Sequence, residues 1–464
     1  MTAAPASNDL TQGPIVRTLT MFALPILGSN VLQALNGSVN AMWVSRAVGE
    51  AGLTAVANAN ILMFLLFGVL FGLTNAATIL IGQAVGAKDM DRARQALASS
   101  LTVFMSVVVA VSLAGWLFTP AVLEAMGTPG EARALADAYL RIVFLSLPIT
   151  FAFVFIVFAQ RAAGSSTPPF VFMAMSVALD FVFNPALIYG WGPLPALGIA
   201  GSALASLLAT ICSFIAMLIY LYRVRHPLRL RRGDGRHLKP SRSVLWWLLS
   251  KGAPIALESL IVSSSAIVLI SLVNRFGVQT AAAYGATMQL WGYAQMPMFA
   301  VAGAVGAMAA QTVGAQRWER MPKITLAGLG LTAVMTGSAV VALYLADEAL
   351  LRLFLPEGGE TLRQALRIDD LVLPTYALLS FTIVLFSVTR ATGAVVAPLL
   401  IFFTALWLAR VPFAELMIPR LGADAIWLSF PLGATVSLIG ASLYYRYGPW
   451  RARRPAVLGE AQPA

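Results

Sequence analysis

The chain has 464 residues, 59% of them hydrophobic and 11% charged, where a soluble domain carries about a quarter charged; a soluble fold is excluded. One cysteine, Cys212, and two histidines, His226 and His237, exclude an internal disulfide framework and a Cys/His metal site. The formal charge of +11 has first to be read as a distribution about a membrane, before any nucleic-acid partner is invoked.

A bilayer-crossing helix needs about 20 apolar residues, and the apolar runs predict twelve of them in an all-α integral membrane fold. Residues 1–16 form a polar tail without the basic start or cleavage site of a signal peptide, so the first apolar run is expected to remain as a span. Six spans are predicted over 17–42, 53–83, 97–118, 134–160, 168–190 and 196–222. The basic stretch 223–243, with RVRHPLRLRRGDGRHLKPSR, reads as a cytoplasmic linker beside anionic lipid. Six more follow over 244–275, 279–312, 323–346, 368–390, 395–418 and 422–446, and 447–464 is a second tail. Of the 31 basic residues, 22 fall on the amino-terminal side of this layout and 9 on the other, Arg410 among the latter. The positive-inside rule then places both termini in the cytoplasm. The basic balance is topological, so no nucleic-acid partner is expected.

The second half restates the first at an offset of about 229. LPIL at 24–27 answers to APIA at 253–256, GQAVGA at 82–87 to AQTVGA at 310–315, and RAAG at 161–164 to RATG at 390–393. Pro148 answers to Pro374, and LGIAG at 197–201 to LGADA at 421–425. With six spans in each half the repeats share one orientation and relate by a pseudo-two-fold axis along the membrane normal, giving an N-lobe at 17–222 and a C-lobe at 244–446. Small residues Gly82, Ala84 and Gly86 permit close helix crossings. Prolines 25, 148, 254, 297 and 374 remove backbone donors within spans and read either as hinges or as packing irregularities.

These residues carry a resemblance. LPILGSNVLQALNGSVNAMWVSRAVGEAGLTAVA, IGQAVGAKDMDRARQA, QRAAG and NPALIYGWGPLPALGIAGSALAS, with their doubling, make 17–446 similar to the multidrug and toxic compound extrusion (MATE) transporters, in the bacterial branch related to the DNA-damage-inducible proteins. The resemblance implies a two-lobed antiporter of the bacterial inner membrane. It would export organic, often cationic amphiphilic, compounds against a proton or sodium gradient, with no cofactor.

Two acids lie inside spans, Asp180 and Glu258, and an intramembrane ionisable residue is a functional candidate by default. Asp180 shares a face of its span with Ser176 and Asn184 at i, i+4 spacing. Its carboxylate could carry a proton, its oxygens with an amide could hold sodium, or it could be a protonated packing contact. Gln33, Asn36 and Asn40 form a stripe on the first span, as cavity lining or as helix-to-helix hydrogen bonds. The resemblance implies an aspartate at position 40 and an Asn followed by Asp at 180 and 184; this chain has Asn40, Asp180 and Asn184 instead. One carboxylate stands where two are common.

Glu258, beside Ser259 and Ser263 to Ser265, is read as binding a cationic substrate or a proton, or as packing. Gln289, Trp291, Tyr293 and Gln295, with Tyr376, are candidates to line a substrate cavity. Arg161 and Arg390 head the repeated turns and are read as structural. The site expected is therefore Asp180, Asn184, Asn40, Asn36 and Ser176 for the coupling ion, and Gln33, Glu258, Gln289, Tyr293 and Tyr376 for substrate. Neither a Walker loop nor a nucleophile arrangement is present, so no enzyme is expected. A monomer acting on amphiphilic small molecules among lipids is the simplest reading. The rival is a flippase for a lipid-linked saccharide, which needs arginines for pyrophosphate; no arginine is read at mid-span.

Overall fold

The computed structural model describes residues 9–125, 130–191, 195–355 and 358–452, and no strand occurs among them. Helix α1 runs Ile15–Gly86, 72 residues, which if straight would extend about 108 Å at 1.5 Å per residue. Yet the turn that leads into it and its far end meet one residue. The Leu10 N–H donates to Gln311 Oε1 at 3.2 Å, and a Cβ added to Gly86 would collide with the Gln311 carbonyl. The helical run therefore turns back on itself and supplies the first two crossings, and the stretch near 43–52 that punctuates the sequence is itself helical.

Then follow α2 (Met90–Leu117), a short α3 (Thr119–Ala125), α4 (Gly130–Ala162), α5 (Thr167–Tyr189), α6 (Gly198–Arg223), α7 (Arg242–Asn274), α8 (Val278–Gly314) and α9 (Met321–Phe354). The tenth crossing is broken: α10 (Gly359–Val372) and α11 (Thr375–Arg390) meet at 41°, where Pro374 supplies no N–H and caps α11. The eleventh is α12 (Val396–Phe403), a π-helical turn Thr404–Arg410 and α13 (Val411–Leu421); α14 (Asp424–Tyr447) is the twelfth.

The chain packs as two compact units. One comprises Gly28–Ile81 and Asp89–Leu249; the other Leu10–Leu27, Gly82–Lys88 and the chain from Ser250 on. Because lipid tails are as apolar as leucine, close van der Waals packing and buried polar bonds hold such helices together. In the first unit α2 and α6 flank α4, and α5 lies on α6. Phe104, Leu140, Leu147, Phe151, Phe155 and Met217 fill it, with the Phe104 and Phe155 rings 5.1 Å apart. The basic linker does not simply trail beside lipid. Its 3-10 turn Arg232–Leu238 docks on α2, where buried Arg94 ion-pairs with Asp91 and, at 3.3 Å, with Asp234. Ser99 Oγ there donates to the His237 carbonyl at 2.9 Å. In the second unit α8 is the central helix, touched by α9, α10 and α11; its alanine-rich half, Val301 to Gly314, is almost wholly buried.

The repeat is written into the backbone. Gly164 and Gly393 both take positive φ, 86° and 82°, and each donates its N–H to the carbonyl of the arginine three residues before, Arg161 at 3.0 Å and Arg390 at 2.7 Å. The R-A-x-G motif is thus a helix stop that wants glycine. The ends of α1 and α8 also match: Ala87 and Ala315 donate to Gln83 and Gln311, each at 2.9 Å. Lys88 and Gln316 take φ of 60° and 56°. These two ends cross each other reciprocally, Gly86 against the Gln311 backbone and Gly314 against the Gln83 backbone.

Candidate functional site

Three helices of the first unit each contribute two polar residues one turn apart. They are Asn36 and Asn40 on α1, Asp180 and Asn184 on α5, and Ser202 and Ser206 on α6. Spacing of four residues puts each pair on one face, and the faces converge. Asp180 is 3% exposed; Ser206 Oγ donates to its Oδ1 at 2.8 Å, and the amides of Asn36 and Asn184 come up to the same carboxylate. One turn away, Ser202 Oγ donates to Asn40 Oδ1 at 2.5 Å, and the Tyr139 hydroxyl from α4 meets Asn40. Asn184 is 1% exposed, and its amide lies beside that carboxylate without reaching the full geometry of a hydrogen bond. Buried polar atoms are nearly always satisfied by protein, water or ion. Trp43 on α1 packs edge-on to Phe181 and Tyr189 of α5, with centroids at 6.3 and 6.4 Å.

This arrangement gathers one carboxylate, three amides, two aliphatic hydroxyls and a phenol, with Asp180, Asn184, Ser202 and Tyr139 buried and Asn36, Asn40 and Ser206 half-buried. Chemically it can take up a small cation through oxygens, or a proton on the carboxylate. Asp180, Asn184, Asn36 and Asn40 are brought together. Ser176, one turn back on α5, is half-buried and makes no hydrogen bond to them, and Gln33 is exposed on α1. Ser202, Ser206 and Tyr139 are the members not read from the sequence. Their only signal is the i, i+4 repetition of serines inside LGIAGSALAS, which looks like small-residue packing.

In the second unit Glu258 is 7% exposed and its charge is already engaged. Both carboxylate oxygens receive the Arg390 guanidinium, Oε2 at 2.6 Å, and Arg390 lies over the Phe386 ring at 5.6 Å. Arg161, at the matching place in the first half, lies over Phe158 at 5.4 Å and has no carboxylate partner among the described residues. Gln289 and Tyr293 are exposed on α8, away from its buried face. Tyr376 instead belongs to an interior group: Trp291 is 6.1 Å from Tyr376, 5.6 Å from Tyr284 and 5.3 Å from Phe430. Trp291 Nε1 donates to Asp369 Oδ1 at 2.8 Å, and Asp369 is wholly buried. The expectation of no mid-span arginine is corrected here. Arg410 sits near the middle of the crossing Val396–Leu421, its Cζ 3.6 Å from the Phe430 ring centroid. Removing it from the outer side enlarges the basic asymmetry between the two sides.

The profile of the family described as MatE matches residues 25–186 and again 254–416, two stretches beginning 229 residues apart. The chain belongs to the MATE family. Among curated relatives it is similar to the probable multidrug resistance protein YoeA of Bacillus subtilis (strain 168), 33% identical over 94% of this chain and 95% of that one. It is also similar to the probable multidrug resistance protein YpnP of the same strain, 29% identical over 96% and 98%. Among solved structures, an outward-facing multidrug resistance MATE family transporter aligns over 97% of this chain and 99% of that one, with a TM-score of 0.87 at 19% identity. The fold is therefore that of a twelve-helix MATE transporter, an integral membrane protein that crosses the bilayer many times. Within it, this chain's exchange of acid and amide between positions 180 and 184 leaves a carboxylate in the cluster, one turn from the place the resemblance implies.

Proposed function

We propose that this MATE-family chain is a secondary-active efflux antiporter. It exports organic amphiphilic compounds, cationic ones among them, in exchange for protons or sodium by alternating access. It acts as a monomer in a bacterial inner membrane, with both termini cytoplasmic. The names of the curated relatives support multidrug efflux. The observation that carries the coupling is the cluster around buried Asp180, with one carboxylate, the amides of Asn36 and Asn184 beside it, and partners on α1, α4, α5 and α6. A proton or sodium ion at Asp180 cancels the only acid of the cluster and changes what Asn36, Asn40 and Ser206 bond to. An ion shifts a conformational equilibrium by its differential affinity for the two states, and helices that meet at a charge have such a difference built in. Asn36 and Asn40 belong to the same helical run as Pro25, so the change reaches a position where the helix already lacks a hydrogen bond.

The test uses everted membrane vesicles containing the full chain and a fluorescent lipophilic cation. Proton and sodium gradients are imposed separately. Uphill accumulation under one of them and not the other identifies the coupling ion. Equal, merely downhill movement under both overturns antiport. The flippase reading gains little from Arg410, because one guanidinium does not make a groove for pyrophosphate.

A further inference from the structure

The second unit holds a cation that the coupling site does not use. Arg410 closes the π-helical turn Thr404–Arg410, and such turns inside α-helical runs concentrate at functional sites. Its Nε is sealed from solvent without an acceptor, and among the described residues no hydrogen bond or ion pair engages its guanidinium. Arg390, by contrast, has Glu258, and Arg94 has Asp91 and Asp234. The carboxylate of the same interior group, Asp369, is turned to the Trp291 ring N–H.

Around Arg410 stand aromatic rings. Phe430 lies under the guanidinium at 3.6 Å, Tyr284 and Tyr376 face its charge, and Trp427 stacks on Tyr284 at 5.6 Å. Gly433 leaves room for the arginine stem; a Cβ there would lie 3.3 Å from Arg410 Cδ. An unpaired charge inside a membrane span is costly and marks function by default. The side chain remains half-buried rather than closed off. A guanidinium is a planar fork of donors that matches a carboxylate or related oxyanion, and the rings beside it suit an aromatic body.

We propose that Arg410 and its ring of Tyr284, Tyr376 and Phe430 form a binding site for the anionic group of an aromatic substrate, so that the transporter accepts aromatic monoanions as well as cations. As a statement about what is exported this rests on the efflux reading; as a statement about binding it does not.

The experiment measures equilibrium binding to purified full-length protein in phosphatidylcholine nanodiscs, with no gradient present. The probes are pyrenebutyrate and a pyrenylbutyl trimethylammonium, which share a ring system and differ in head-group charge. Wild type binds pyrenebutyrate, and naphthoate displaces it while naphthylmethylammonium does not. Arg410→Gln weakens pyrenebutyrate by about 10- to 100-fold, the value of a charge-assisted hydrogen-bonded pair, and leaves the trimethylammonium probe unchanged. Arg410→Lys recovers part of the loss. Pyrenebutyrate bound equally by wild type and a folded Arg410→Gln, displacement by both naphthyl compounds alike, or no binding to wild type overturns the proposal. Should the site bind pyrenebutyrate while everted vesicles move neither probe, the efflux reading fails and the site stands.

Discussion

Asp180 and Glu258 are both buried acids, and their neighbours give them different work. Asp180 accepts from Ser206 at 2.8 Å and has the amides of Asn36 and Asn184 beside it, with no cation paired to it among the described residues. Glu258 is clamped by Arg390 through both oxygens. Breaking a buried ion pair from one side leaves the other charge stranded, at a cost of about 3–5 kcal/mol. Glu258→Gln is therefore expected to lower the thermal unfolding midpoint in detergent sharply, and the double change Glu258→Leu with Arg390→Met to recover most of it. A midpoint unchanged in the single variant would mean that the pair does not form. At this scale the sequence was half legible. An acid inside an apolar run and polar residues at helical spacing revealed Asp180, Asn184, Asn36 and Asn40. Ser202 and Ser206 were hidden because hydroxyls among alanines and glycines serve packing equally well, and Tyr139 because a tyrosine near a span end ordinarily marks an interface. Arg410 falls within the predicted span 395–418, yet a lone arginine is counted with the outer side because an unpaired charge inside a span is costly; the aromatic rings of other helices around it are invisible in the sequence.

Elements are held by contacts that periodicity does not announce. The ends of α1 and α8 cross at Gly86 and Gly314, each against the other's backbone, so any side chain there forces the helices apart. Gly314→Leu is expected to destabilise by at least the 1–3 kcal/mol typical of overpacking, measured as a drop in thermal midpoint; wild-type stability would show the crossing to be loose. The small residues of GQAVGA made a close crossing readable, but not its partner. After α6 the chain tucks in His226, 8% exposed, with Nδ1 accepting the Leu228 N–H at 3.2 Å. Burial pushes this imidazole down to about 4 from about 6.5. The folded loop thus favours the neutral ring: its contribution is fully present above the unfolded value and is lost as pH falls from about 6.5 through about 4. By linkage the loop loses about 2 kcal/mol of protection at pH 5, seen in hydrogen exchange corrected for intrinsic rates. His226→Gln is expected to abolish that pH dependence; an equal dependence in the variant would assign it to another group.

The whole molecule is a doubled six-span unit whose halves have diverged in charge. The backbone landmarks recur: the positive-φ glycines 164 and 393, the matched caps after Gly86 and Gly314, and the two profile matches at 25–186 and 254–416. The buried acids and their partners do not recur. The first unit carries a lone acid among amides, the second an acid clamped by arginine and a separate arginine among rings. Twelve crossings were legible because hydropathy and a repeat of six agree. The continuous helix through 43–52 was not, since a polar stretch between apolar runs reads as a loop whether or not it stays helical. The claim that binds these observations together is that Asp180 couples an ion to transport without itself holding the substrate. It is tested in proteoliposomes by comparing two modes in wild type and Asp180→Asn. One is uphill accumulation of a lipophilic cation under the coupling gradient; the other is counterflow of labelled against unlabelled substrate with no gradient. The account predicts that Asp180→Asn loses accumulation and keeps counterflow. Accumulation at the wild-type level in Asp180→Asn would contradict it.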